Sequence, residues 1–293
     1  MQLFRTSLPN MKSSSSKKNM HQANALGSRP ISRRKIPGMS ISAFDGWFTA
    51  TKGVTKNILN NPNTVSGWKN LVPGGADFAQ STSNLQPALS TMNGLTALAP
   101  DGASGRGAAT DVLVEGDMID NIGTGDFYIG MVYELETAGS FGTRTTIISK
   151  LNGTGSNGFN IQINASQMDF RIGASVPFFA SGLDCLDKTI FLEIVRTDGT
   201  VKVYENGTEK KSASFSTDLS CDGDLKIGAS DMKIGEFICK KGTMPDKQRQ
   251  IIEALMARKW NIGTVSTGLA SRQRGGIGVL PSGNRFRNQI PRF

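Results

Sequence analysis

The chain has 293 residues and a formal net charge of +9. That length supports one large core with extensions, and no run approaches the roughly 18 consecutive apolar residues of a membrane-spanning helix. Three cysteines, Cys185, Cys221 and Cys239, are too few and too scattered for a disulfide framework or a zinc site, and read as buried thiols of a reducing compartment.

The average charge conceals a division. Residues 1–44 carry eight bases (Arg5, Lys12, Lys17, Lys18, Arg29, Arg33, Arg34 and Lys35) and no acid. Residues 254–293 carry seven (Arg258, Lys259, Arg272, Arg274, Arg285, Arg287 and Arg292), again with no acid. Residues 45–253 hold the other 18 of the 33 bases and all 24 acids, a net of −6. An acidic globule between two basic arms is the charge layout of interaction tails.

The N-terminal arm, 1–44, runs from Ser13-Ser14-Ser15-Ser16-Lys17-Lys18 to Arg33-Arg34-Lys35. Its apolar residues are sparse and aperiodic, so alone it cannot offset its backbone entropy. Lys17, Lys18, Arg33, Arg34 and Lys35 suit an acidic protein surface, or nucleic acid through phosphates without base readout. No helix-turn-helix, zinc-finger or RNA-recognition pattern is present. The first 25 residues hold no apolar signal core, so export by that route is not expected.

The globule spans 45–262. Residues 41–62 read as a first strand or a short helical turn around Phe44, Trp47 and Phe48. Residues 65–102 read as loop, broken by Pro73-Gly74-Gly75 and Asn93-Gly94, with a weak strand at 95–99. Residues 112–125 read as irregular. In 127–136 the sheet pattern strengthens: Phe127, Ile129, Met131, Tyr133 and Leu135 share one face. Strands follow at 145–150, 159–163 and 168–172, separated by Asn152-Gly153 and Asn164.

The clearest pattern lies in 189–239. Asp198-Gly199 and Asn206-Gly207 tolerate the positive φ that two-residue hairpin loops need. Ile190, Leu192 and Ile194 point one way, and Phe191, Glu193 and Val195 the other. Glu193 and Glu205 read as solvated strand positions. Short strands at 225–228 and 234–239 complete a sandwich of two antiparallel sheets. One helix follows, with a Thr243 cap, the early Pro245 and Asp246 as its opening. Ile251, Ile252, Leu255, Met256 and Trp260 form its apolar stripe against the sandwich, and Gly263 ends it. In the C-terminal arm, 263–293, Arg272, Arg274, Arg285 and Arg287 interleave with glycine or an aromatic. Residues 277–280 and 290–293 are short enough to add a strand to a neighbour's sheet edge.

The sole histidine, His21, lies in the arm, so no Ser-His-Asp or Cys-His arrangement is available in the globule. Gly153-Thr154-Gly155 does not match a phosphate loop.

In order, the globule carries Trp68, Gln86-Pro87-Ala88, Asn93-Gly94 leading to Asp101-Gly102, and Ile148-Ser149-Lys150. Then come Arg196-Thr197-Asp198-Gly199, Val203-Tyr204-Glu205-Asn206-Gly207, Leu225-Lys226-Ile227-Gly228, Ile234-Gly235-Glu236-Phe237, and the helix ending in Ala257-Arg258-Lys259-Trp260. This succession, over about residues 65–262, resembles the concanavalin A-like lectin/glucanase superfamily in its laminin-G-like branch. The resemblance implies an all-β, two-sheet antiparallel jelly-roll sandwich with one C-terminal helix, here extended by basic N- and C-terminal arms.

Fold alone does not assign function. Domains of this kind serve as lectins, glycan hydrolases, adhesion modules and parts of bacteriophage virions, and those of phage tail and capsid-associated proteins look particularly similar. The expectation is a non-enzymatic virion structural protein, a capsid decoration or a tail-associated protein. It would be made in the host cytoplasm, repeated in a symmetric oligomer, and anchored to other virion proteins by its arms. The alternative is a host-glycan-binding lectin or adhesin of a tail fibre, recognising cell-surface or mucus sugar. A polysaccharide hydrolase is disfavoured. The superfamily's glucanases use Glu-x-Asp-x-x-Glu, and Glu134-Leu135-Glu136 lacks the central Asp and the third Glu of that set. For a glycan, Trp47 and Trp68 are the candidate aromatics, with core packing as their other role. Calcium is the one cofactor the resemblance allows, on Asp222, Asp224 and Asp231, whose other role is turn formation.

Overall fold

The computed structural model describes residues 39–57, 61–100, 113–115, 118–135, 145–151, 158–163, 166–172, 175–184, 186–228 and 232–263. The basic side chains of both arms assigned above to partner binding lie outside the described residues.

Strands numbered in chain order build two antiparallel sheets. In the first, β15 (Thr208–Ser214), β14 (Thr200–Glu205), β13 (Ile190–Thr197), β8 (Phe127–Leu135) and β17 (Met232–Lys241) lie side by side. The far side of β17 pairs with β1 (Gly46–Thr49) and, at Ile234, with β6 (Leu95–Ala99), which pairs in turn with β5 (Ala88–Met92). The second sheet runs through β12 (Ser175–Ser181), β11 (Gln167–Ile172), β10 (Gly158–Ile163), β9 (Thr145–Leu151) and β16 (Leu225–Ile227). It continues through β7 (Leu113–Glu115), β4 (Phe78–Ala79), β3 (Asn61–Trp68) and β2 (Val54–Asn57). β3 joins the two sheets, because its Thr64 pairs with Ala88 of the first while Trp68 pairs within the second. The architecture is an all-β, jelly-roll-like sandwich, with one α-helix among the described residues, α1 (Asp246–Trp260).

The alternation read from the sequence sets the inner faces. Phe127, Ile129, Met131, Tyr133 and Leu135 of β8 and Ile190, Leu192 and Ile194 of β13 all belong to the buried core. Across the gap they meet Phe159, Ile161 and Ile163 of β10 and Phe170 of β11, with Phe159 stacked on Phe170 at 5.2 Å. Both hairpin dipeptides adopt left-handed backbone at both positions: φ is 48° and 70° at Asp198-Gly199, and 50° and 80° at Asn206-Gly207. That geometry matches the right-handed strand twist and so locks the β13–β14–β15 meander into register.

Five local expectations change. The stretch 65–102 is not loop throughout. Its Asn93-Gly94 turn closes a β5–β6 hairpin in which Ala88 faces Ala99 and Met92 faces Leu95. The signal was weak because β5 is half-buried rather than cleanly alternating. Within 112–125, Leu113–Glu115 is ordered as β7 by strands on both sides. The helix starts at Asp246 with Pro245 as its cap, two residues later than the Thr243 expectation. Thr243 Oγ1 instead donates to Asp126 Oδ2 at 2.6 Å. Asn261, left-handed at φ 51°, ends the helix before Gly263 is reached. Met39 and Phe44, which the charge boundary placed in the arm, are buried, and Phe44 packs edge-on against Trp47 at 5.2 Å.

Helix α1 covers the outer face of the first sheet. Ile252, Met256 and Trp260 are buried there, while Ile251 and Leu255 are half-buried. Glycines admit it at two points. A Cβ on Gly235 would lie 2.5 Å from the Trp260 ring, and one on Gly207 would lie 1.7 Å from Glu253 Oε1.

Candidate functional site

The outer face of β13 carries the largest departure from the sequence reading. Glu193 and Glu205, expected in solvent, are 0% and 5% exposed. Glu193 lies beneath α1, whose Arg249 and Glu253 are also buried. Arg249 Nη1 donates to Glu193 Oε2 and to Glu253 Oε2, each at 3.1 Å. Tyr128 Oη donates to Glu193 Oε1 at 3.1 Å, and the Arg249 guanidinium sits 3.8 Å above the Tyr204 ring.

Two carboxylates thus share one cation in a dry layer. Burial pushes Glu193 up to about 8, with Arg249 opposing the rise. Burial also raises Glu253 and Tyr128. A second clamp stands near the helix end. There Glu236, fully buried and raised by that burial, pairs with Lys259 and accepts from Trp260 Nε1 at 3.4 Å. A general acid or base must come within hydrogen-bond reach of its substrate, and these carboxylates are sealed between helix and sheet. They fasten α1 to the sandwich.

Two further cations are structural. Arg196 is fully buried and donates to the carbonyls of Gly125 (2.6 Å), Gly123 (2.7 Å) and Thr217 (2.9 Å). Its guanidinium also lies 5.1 Å from the centre of the Phe127 ring, so one side chain ties two loops to the core. Lys150 pairs with Asp120 and donates to Gly223 O at 2.6 Å.

The remaining candidates separate. Glu134 is held by Lys233 at 3.1 Å and accepts from Thr189 Oγ1 at 3.2 Å, while Glu136 lies outside the described residues. Trp47 and Trp68 are 2% and 0% exposed. Their rings are used in the interior, Trp68 against Phe48 at 5.4 Å, so neither offers a face on which a sugar could stack. That corrects the glycan assignment of both. Asp222 and Asp224 are exposed in the segment leading to β16, and Asp231 lies outside the described residues. Among the described residues no three His, Cys, Asp or Glu side chains converge to hold a metal. Cys221 and Cys239 are buried, and Cys185 is outside the described residues.

One open groove, of about 400 Å³, forms where the β5–β6 turn, the loop entering β13, the β14–β15 turn and the end of α1 meet. Asn93, Asp187, Asn206 and Asn261 contribute one tip each, and all four have left-handed backbone, with φ of 49°, 51°, 50° and 51°. The sequence marked Asn93 and Asn206 as turn formers but gave no sign that they converge. Glu205 lies in the wall, accepting from the Asp184 amide at 3.0 Å and paired with Lys210 at 3.0 Å.

No family model and no curated protein sequence matches the chain. Solved structures do match. The binding domain of Paraclostridial Mosquitocidal Protein 1 aligns over 76% of this chain and 54% of that one, with a TM-score of 0.56 and 9% identity. The botulinum neurotoxin type G receptor binding domain aligns over 73% and 51%, with a TM-score of 0.52 and 12% identity. The chain therefore spans about half the length of these structures. At such identity the likeness is one of fold, and it agrees with the sandwich described above.

Proposed function

We propose that the protein is a non-enzymatic structural component of a bacteriophage virion, on the capsid or the tail, that displays its sandwich as a lectin-like head. Its two basic arms fasten it to neighbouring subunits. The observation that carries this reading is the charge division: fifteen bases and no acid in the two terminal stretches, against a net of −6 between them. Arms of that composition gain order by docking on an acidic surface, and repeated copies in a symmetric particle multiply a modest contact. The resemblance to jelly-roll domains of phage tail and capsid-associated proteins supplies the setting, with synthesis in the host cytoplasm.

Two observations support a binding head over an enzyme. The buried carboxylates of the first sheet are committed to holding α1. Two solved structures of similar fold are named as binding domains, one of them a receptor binding domain. The test is deletion of residues 1–40 followed by measurement of incorporation into particles. Incorporation is expected to collapse while the sandwich still folds. Undiminished incorporation of the deleted protein refutes anchoring by this arm.

A further inference from the structure

We infer that the groove beside the end of α1 is a binding site for a neutral glycan, taking an uncharged hexose or N-acetylhexosamine residue. The inference rests on reading the sandwich as a lectin-like head, and it places the recognition away from Trp47 and Trp68.

Three carboxamides from three separate elements line the groove with hydrogen-bonding capacity in hand. Asn206 Oδ1 accepts from the Phe191 amide at 2.8 Å, leaving its Nδ2 as a donor. Asn93 Nδ2 donates to Trp260 O at 2.5 Å, leaving its Oδ1 as an acceptor. Asn261 caps α1 through its backbone N–H, and among the described residues its carboxamide makes no hydrogen bond. The bonds already made fix Asn93 and Asn206 in place. Little ordering cost therefore remains when a ligand with paired hydroxyls arrives. The volume, about 400 Å³, lies within the roughly 300–1,000 Å³ typical of small-ligand sites.

Charge selects among sugars. Asp184, Asp187 and Glu205 face Lys188 within the groove, and Lys210 pairs with Glu205 from beside it. Among the described residues around the groove, three acids stand against two bases, a net of −1. A carboxylated sugar would therefore meet like charge, which acts as a repulsive filter. Among the described residues no aromatic side chain lines the groove, so a single site binds weakly and depends on many displayed copies for retention.

The test uses the full-length protein on an array carrying glucose-, galactose-, mannose- and N-acetylglucosamine-terminated oligosaccharides beside sialylated ones. Titration with the best neutral glycan follows. Asn206→Asp keeps the left-handed turn and the Oδ1 acceptor but replaces the Nδ2 donor with a carboxylate oxygen. Asn261→Asp makes the same exchange at a side chain with no structural bond to lose, and so stands in if Asn206→Asp fails to fold. Each is expected to weaken neutral-glycan binding about tenfold with the melting temperature unchanged. Neutral-glycan binding that survives both changes overturns this site and leaves the lectin-like reading standing. Binding confined to sialylated glycans overturns the ligand class. No binding to either class overturns both the site and the lectin-like reading.

Discussion

Replacing Arg249 with alanine tests the account of how α1 is held. Arg249 is 5% exposed and serves Glu193 and Glu253 at 3.1 Å each while covering Tyr204 at 3.8 Å. Its removal leaves two buried carboxylates without their cation, and breaking a buried pair in this way costs about 3–5 kcal/mol. Partial relief is built in. Glu193 already stands at about 8 and so holds a proton at neutral pH; without Arg249 it rises further and keeps that proton to higher pH. The loss should therefore lie near the lower end of that range at pH 6 and grow toward pH 9. Urea unfolding of wild type and variant at both values measures it. A loss of less than about 1 kcal/mol at pH 9 would refute the claim that this triad is dry and mutually dependent. Arg249→Met combined with Glu193→Leu and Glu253→Leu should recover most of the stability, because no charge is then left unpaired.

The wild-type protein should show its own pH dependence. Glu193 has a folded value raised above its ordinary 4.5 to about 8, so the folded state holds a proton that the unfolded state has released. Its contribution is fully present below 4.5 and is lost as pH rises through 8. The melting temperature should accordingly fall between pH 5 and pH 8.5, and a rise over that interval would contradict the assignment. Gly207→Ala combines a φ of +80° with a Cβ placed 1.7 Å from Glu253 Oε1. It should cost at least about 2 kcal/mol by denaturant titration, and a neutral result would mean that α1 does not press on this turn.

The sandwich was legible because its signals are local. Alternation in β8 and β13 needs only a period of two, and Asp198-Gly199 and Asn206-Gly207 carry their turn chemistry in adjacent residues. The helix was visible from its apolar stripe, but its start was not. Thr243 looks like a cap until Asp126, more than a hundred positions away, takes its hydroxyl. Glu193 was misjudged for the same kind of reason. A lone glutamate on a strand reads as solvated unless something covers it, and the cover, α1, comes from a segment about fifty residues downstream. Trp47 and Trp68 look alike in sequence whether a ring is buried or presented to a ligand.

The primary sequence alone therefore determined the period of the strands, the hairpin turns, the presence of one helix and the split between basic ends and acidic middle. Each depends on residue type within a few positions or on a count. Tertiary structure alone decided which carboxylates are sealed beneath α1, which tryptophans are interior, and that Asn93, Asn206 and Asn261 converge on one groove. Those are properties of juxtaposition, created when strands distant in the chain pair and a helix closes over them.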